Sequence, residues 1–220
     1  MTGLVRKELV SLPIDGQSVE GLLALPRQAR AVVLFAHGSG SGRLSPRNNT
    51  VAAALRKAGL ATLLMDLLTP PEAPSTRARF DIALLVRRLE MAASWLAGDR
   101  DTRHLPLGLF GASTGAAAAL QLAAGASFPV YAVVSRGGRP DLAGSFALER
   151  VSAPTLLIVG GLDTQVIELN KAAYAMLTCR KAFEVVKGAT HLFEEPGALE
   201  QVARLASDWF VRSLDPAPVP

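Results

Sequence analysis

The sequence predicts an α/β fold: a mostly parallel, twisted sheet with helices on both faces, built as a single domain over residues 1–214. Three observations predict it. Short runs at 31–36 and 61–65 are apolar throughout, which marks strands covered on both faces. Helical periods alternate with such runs along the chain, and that alternation requires crossover connections and therefore parallel strands. The 220 residues are 50% hydrophobic and 19% charged. That is enough to bury a core without disulfides or metals, and too apolar for a disordered chain.

The elements follow in order. Residues 5–12 and 18–25 read as two strands, joined by the turn residues Pro13-Ile14-Asp15-Gly16, so the opening pair is antiparallel. The buried strand 31–36 runs into His37-Gly38-Ser39-Gly40-Ser41-Gly42, which no regular element tolerates. A helix over 49–58 stops at Gly59, and 61–65 is the next strand. Residues 66–76 form a loop with three prolines, and 77–97 a long amphipathic helix ended by Gly98. A strand at 105–110 leads into a helix of small residues at 114–124, ended by Gly125. Further strands fall at 130–135, 155–159 and 182–186, with helices at about 165–177 and 199–214 after the last two. The proline-rich tail 215–220 is expected to fray. No internal repeat and no linker divides the chain.

Composition excludes several functions. Aromatic residues are only 5% of the chain, too few for a base-stacking platform. The net charge is +4 and the Arg and Lys residues are scattered, whereas a nucleic-acid binder concentrates them in a stripe. The single Cys179 cannot form an internal disulfide, and one cysteine with three histidines leaves little for a zinc site. No stretch reaches about 18 uninterrupted apolar residues; the nearest, 80–97, holds Asp81, Arg87, Arg88 and Glu90. Residues 1–16 show no apolar signal core. The expectation is a soluble, cytoplasmic protein without a membrane or nucleic-acid partner.

The strongest chemical signal is Gly111-Ala112-Ser113-Thr114-Gly115, a G-x-S-x-G string. The string alone is weak, but here it follows one predicted strand and opens the next helix, as its mechanics require. A sharp strand-to-helix turn holds the serine in a strained conformation, so residues two positions away must lack bulk. The helix N-terminus beneath it favours a developing anion. A serine nucleophile needs a base, and the base an orienting carboxylate. Of the histidines, His37 precedes the glycine run and His104 lies at the far end of the nucleophile strand. His191, just after the last predicted strand, is the candidate base. Asp163 follows the strand 155–159 and is the candidate acid; it could instead simply cap the following helix, and Asp141 is the reserve. The glycine run 37–42 fits neither G-x-G-x-x-G nor a P-loop. It reads as the turn that supplies the second oxyanion donor, so the amides of Ser39 and Thr114 are assigned to that hole.

These residues add up to a resemblance. The chain resembles the α/β-hydrolase superfamily, and within it the small, lidless dienelactone hydrolase-like group, over roughly residues 19–211. The resemblance is carried by His37-Gly38-Ser39-Gly40-Ser41-Gly42, Gly111-Ala112-Ser113-Thr114-Gly115, Gly160-Gly161-Leu162-Asp163 and Ala189-Thr190-His191-Leu192-Phe193. Dienelactone hydrolases proper use a cysteine nucleophile, and here the elbow holds Ser113. Cys179 lies between a helix and a strand and is no substitute. The reading is therefore a serine hydrolase of a small carboxylic ester, lactone or thioester, with no metal or organic cofactor implied. A peptidase or amidase on the same scaffold, or a non-catalytic binding member of the fold, is the alternative. Arg43, Arg47, Arg136 and Arg139 leave the carboxyl ends of strands expected to flank the nucleophile strand. They are candidate contacts for an anionic substrate, against the simpler reading of solvated loop charge.

Overall fold

The computed structural model describes residues 3–214, so the tail 215–220 lies outside the described residues. Eight strands form one sheet in the order β1-β2-β4-β3-β5-β6-β7-β8. The strands are β1 (Leu4–Ile14), β2 (Gln17–Pro26), β3 (Val32–Ala36), β4 (Ala61–Met65), β5 (Leu107–Ala112), β6 (Val130–Arg136), β7 (Thr155–Gly160) and β8 (Lys181–Val186). Asp15 and Gly16, both at positive φ (40° and 76°), close the β1–β2 hairpin, which matches the right-handed twist of the strands it joins. β2 meets β4 antiparallel, and every pairing from β4 to β8 is parallel.

The interior strands β3, β4, β5 and β7 are buried at every residue, as their uninterrupted apolar sequence predicts. The helices are α1 (Pro46–Lys57), α2 (Thr76–Phe80), α3 (Ile82–Gly98), α4 (Thr114–Ala124), α5 (Ser145–Arg150), α6 (Thr164–Met176) and α7 (Ala198–Leu214). One face of the sheet is covered by α3, α4, α5 and α6, and the other by α1 and α7. α4 owes its place to its small side chains. Ala116 to Ala119 are fully buried, which lets the helix lie close against the sheet directly beneath the turn that holds Ser113.

Two expectations are corrected. The single long helix expected over 77–97 is broken at Asp81, whose carboxylate caps the Leu84 amide at 2.9 Å and starts α3 anew. The short α5 and the 3-10 turn Pro140–Ala143 were not expected; both are too short to show a helical period. Among the described residues no helix is long and apolar enough to cross a membrane.

Candidate active site

The site gathers at the carboxyl ends of the parallel strands, where loops from β3, β4, β5, β7 and β8 converge. Ser113 occupies the turn between β5 and α4 at φ 50° and ψ −122°. Only a strongly determined surrounding holds a non-glycine residue there, at a cost of about 1–3 kcal/mol. The surrounding is visible in the flanking glycines. A Cβ at Gly115 would lie 2.2 Å from the Ala36 carbonyl oxygen, and one at Gly111 2.4 Å from the Ala116 Cα. The spacing in the string is thus a packing requirement of the turn. The turn is also pinned through its backbone: Ser113 N–H donates to Arg136 O at 3.3 Å, and Ser113 O accepts from Arg139 N–H at 3.0 Å.

His191 Nδ1 lies 2.6 Å from Asp163 Oδ2. The loops that carry the two residues are stitched together by backbone bonds from Gly161 N–H to Val186 O and Leu162 N–H to Ala189 O, each 2.9 Å. The carboxylate is the more enclosed partner, with 15% of its side chain exposed against 38% for the imidazole. Ser113 Oγ makes no hydrogen bond to the ring. Catalytic contacts commonly tighten only when substrate is bound. Asp141 is engaged elsewhere, in a two-bond pair with Arg139 at 2.8 and 2.7 Å, and His104 stands before β5 at the opposite end of that strand.

The glycine turn after β3 passes directly over Ser113. A Cβ on Gly38 would fall 2.9 Å from the Ser113 Cβ, so this close approach needs glycine. The amides of Ser39 and Thr114 have no acceptor among the described residues, and both residues border a cavity of about 390 Å³ beside Ser113. His37 holds the turn in place. Its Nε2 accepts the Leu67 N–H at 2.9 Å, so Nδ1 carries the proton and donates to Gly38 O at 2.8 Å. Burial pushes the imidazole below its ordinary value, against weaker opposing effects from Gly38 O and Asp66. A neutral ring is what this pair of contacts requires.

The four arginines separate. Arg43 borders the cavity but is bound to Asp66 and Glu20. Arg47 pairs with Glu194 at 2.7 Å, and Arg139 with Asp141. Arg136 turns inward, only 8% exposed. Its Nε and Nη1 have no partner, and its guanidinium lies 5.9 Å from the centre of the Phe193 ring. Burial, with the charge of Arg47, pushes it down to about 10. Sequence reasoning missed Arg79, which borders the cavity from α2 and makes no ion pair among the described residues; its Nε donates to Ala73 O at 2.6 Å. No motif marks it. Asp66 was legible in principle, standing immediately after the buried strand β4.

Among the described residues no group of His, Cys, Asp and Glu side chains could hold a metal. No family model matches the chain. Over 94% of its length it superposes on 97% of a dienelactone hydrolase from Anabaena variabilis, at 54% identity and a TM-score of 0.90. Est1E from Butyrivibrio proteoclasticus shares the fold at 15% identity and a TM-score of 0.79, covering 94% of this chain and 98% of that one. An esterase domain from a Rhodothermus marinus protein does so at 22% identity and 0.76, covering 94% and 99%. By sequence, 210 residues are 56% identical to Mycobacterium tuberculosis proteins named for phosphoribosyl transfer. The match takes in 96% of this chain and 47% of theirs, so the chain spans about half the length of the curated relatives it matches.

Proposed function

The chain belongs to the dienelactone hydrolase-like group of the α/β-hydrolases, and from that premise we propose a serine hydrolase acting on a small carboxylic ester, lactone or thioester. One observation carries the reading: Ser113 is held at φ 50° between two amides that have no other acceptor. Strain at a single polar residue, beside free donors, is how a nucleophile and its oxyanion hole are arranged.

In this reading Ser113 Oγ attacks the carbonyl carbon and His191 takes its proton through Nε2. Asp163, bonded to Nδ1, fixes the tautomer that leaves Nε2 free and stabilises the imidazolium. The Ser39 and Thr114 N–H groups receive the negative oxygen of the tetrahedral intermediate. Proton return to the departing oxygen leaves an acyl-Ser113, and water then releases the acid by the same steps in reverse. No step calls for a metal or an organic cofactor. Phosphoribosyl transfer, which the Mycobacterium relatives are named for, forms no part of this reading.

We further propose a preference for anionic over neutral substrates, now resting on Arg79. Arg43 is neutralised by Asp66 and Glu20, while the Arg79 guanidinium faces the same cavity without a carboxylate of its own. The primary test is a fluorophosphonate probe read by peptide mass spectrometry, together with Ser113→Ala. Labelling is expected on Ser113, and the variant should lose it along with about 10³-fold or more of kcat while keeping its fold. Unchanged ester hydrolysis in the variant would refute the mechanism.

A further inference from the structure

We propose that this site selects its substrate by the acyl part and scarcely reads the alcohol part, an inference that rests on the serine-hydrolase reading. The sheet order carries it. β5 brings Ser113 to the middle of the site. β3, β4 and β2 lie to one side, and β6, β7 and β8 to the other. The cavity of about 390 Å³ lies wholly on the β3–β4–β2 side. Its walls include Val19 of β2, Leu67 and Leu68 after β4, and Leu85 of α3, with Pro70 and Ala73 at its margin. It reaches Ser113 through Gly38, Ser39 and Thr114, while Ser113 itself is not in its lining; His191 and Asp163 follow β8 and β7 on the other side and are not in it either.

Stereochemistry then assigns the four substituents of the tetrahedral carbon. One is Ser113 Oγ. The oxyanion points to the Ser39 and Thr114 amides. The leaving oxygen must face His191, because Nε2 has to pass it the proton taken from Oγ as the C–Oγ bond forms and the ester C–O bond breaks. Only the acyl substituent remains, and only the cavity side remains to hold it. In deacylation His191 takes a proton from water, the C–OH bond forms, and the C–Oγ bond breaks as the proton returns to Ser113. The acyl group stays in the cavity throughout.

The two sides differ in what they can recognise. The acyl side is walled, apolar at Leu67, Leu68 and Leu85 and charged at Glu20, Arg43 and Asp66. At roughly 30 Å³ for each water-sized group, it takes on the order of a dozen non-hydrogen atoms. On the alcohol side the His191 side chain is 38% exposed and the next residue, Leu192, is 40% exposed, so a leaving alcohol meets solvent. The substrate class is accordingly a medium-length acyl group whose hydrocarbon part lies on Leu67, Leu68 and Leu85, on any alcohol of suitable acidity. An anionic substrate would carry its charge on the acyl part, toward Arg79.

The test uses two ester series. In the first, 4-nitrophenyl esters run from acetyl to hexanoyl, and kcat/KM is expected to rise roughly four-fold per methylene. In the second, a hexanoyl group is held constant on phenols of matched acidity and increasing bulk, and kcat/KM is expected to stay within about three-fold. Ala73→Phe, which fills the cavity margin, should cut the hexanoyl-to-acetyl ratio about ten-fold. Leu192→Phe, on the alcohol side, should change that ratio by less than about two-fold. A flat acyl series, a steep phenol series, or a ratio that follows Leu192 and not Ala73 would overturn the inference. Labelling of Ser113 alongside such a result leaves the hydrolase reading intact. Absence of both labelling and hydrolysis overturns the two together.

Discussion

At the scale of single residues, Asp163 makes one short contact, 2.6 Å to His191 Nδ1. Asp163→Asn keeps the shape of the site but offers that nitrogen an amide that can favour the wrong tautomer. The expected loss is up to about 10⁴-fold in kcat. Asp141→Asn should cost less than about three-fold, because Asp141 is already bound to Arg139; steady-state kinetics on both variants decides which carboxylate serves His191. Arg136 poses the opposite case, a buried charge without an acid. Its stacking on Phe193 offsets part of the cost of burial, but two unbonded nitrogens remain. Arg136→Met keeps the length and the apolar contact and removes the charge. It should raise stability by about 1–2 kcal/mol in urea unfolding, and a loss of that size would show that the guanidinium is compensated. The placement of Ser113, Asp163 and His191 at one end of the sheet was legible because each lies within five residues of the end of a strand. The state of the arginines was not. Arg43 meets Asp66 across 23 positions and Arg47 meets Glu194 across 147, and no local pattern announces partners so distant.

At the scale of elements, the glycine turn after β3 is a loop held by its neighbours. His37 ties it to the Leu67 amide, and the Arg43 amide reaches Asp66 Oδ1 at 2.8 Å. The run of glycines said that the chain turns there, but the residues that hold it, Asp66 and Leu67, lie just past the end of β4. The α2–α3 break teaches a similar lesson. The apolar period continues through residues 77–97, and period alone favours one helix. Asp81 overrides it, because a short carboxylate reaches the amide three residues on more favourably than it sits in mid-helix. Asp81→Ala should therefore cost about 1 kcal/mol of stability. Since α2 carries Arg79 and α3 carries Leu85, the same change should raise KM for long acyl esters while leaving fluorophosphonate labelling of Ser113 in place. Chemical denaturation and the ester series together check it. Unaltered stability would mean that the cap adds nothing beyond what packing of α3 already supplies.

At the scale of the whole molecule, the sheet order separates Asp163 and His191 from the cavity, and the same order places ionic ties at the antiparallel edge. Arg6 of β1 binds Asp99 at 2.8 Å, just past α3, and the buried Arg88 of α3 binds Glu72 at 2.9 Å. These ties and His37 give the protein a particular response to acid. The folded state holds His37 below its ordinary value of 6.5, so below about that pH the unfolded chain binds a proton that the folded chain refuses. Stability should fall from there as pH drops, by up to about 1.4 kcal/mol per pH unit. Asp99 and Glu72 act lower down. Burial alone would raise both carboxyls. Arg6 and the Asp101 amide more than offset this for Asp99, as the Thr69 amide and Arg88 do for Glu72, and both end below their ordinary values of 3.8 and 4.5. Their contribution is present above those values and is lost as pH falls through the depressed ones. Thermal unfolding from pH 8 to pH 3 should thus show a decline beginning near 6.5 and a second, steeper one below about 4. His37→Gln should flatten the first and spare the second. Arg6→Leu should spare the first and weaken the second, since it releases Asp99 while Glu72 keeps Arg88. A Tm that holds level from pH 6.5 to pH 5 in the native chain would mean that the His37 ring gains a proton in place, and that the contacts to Leu67 and Gly38 give way before the fold does.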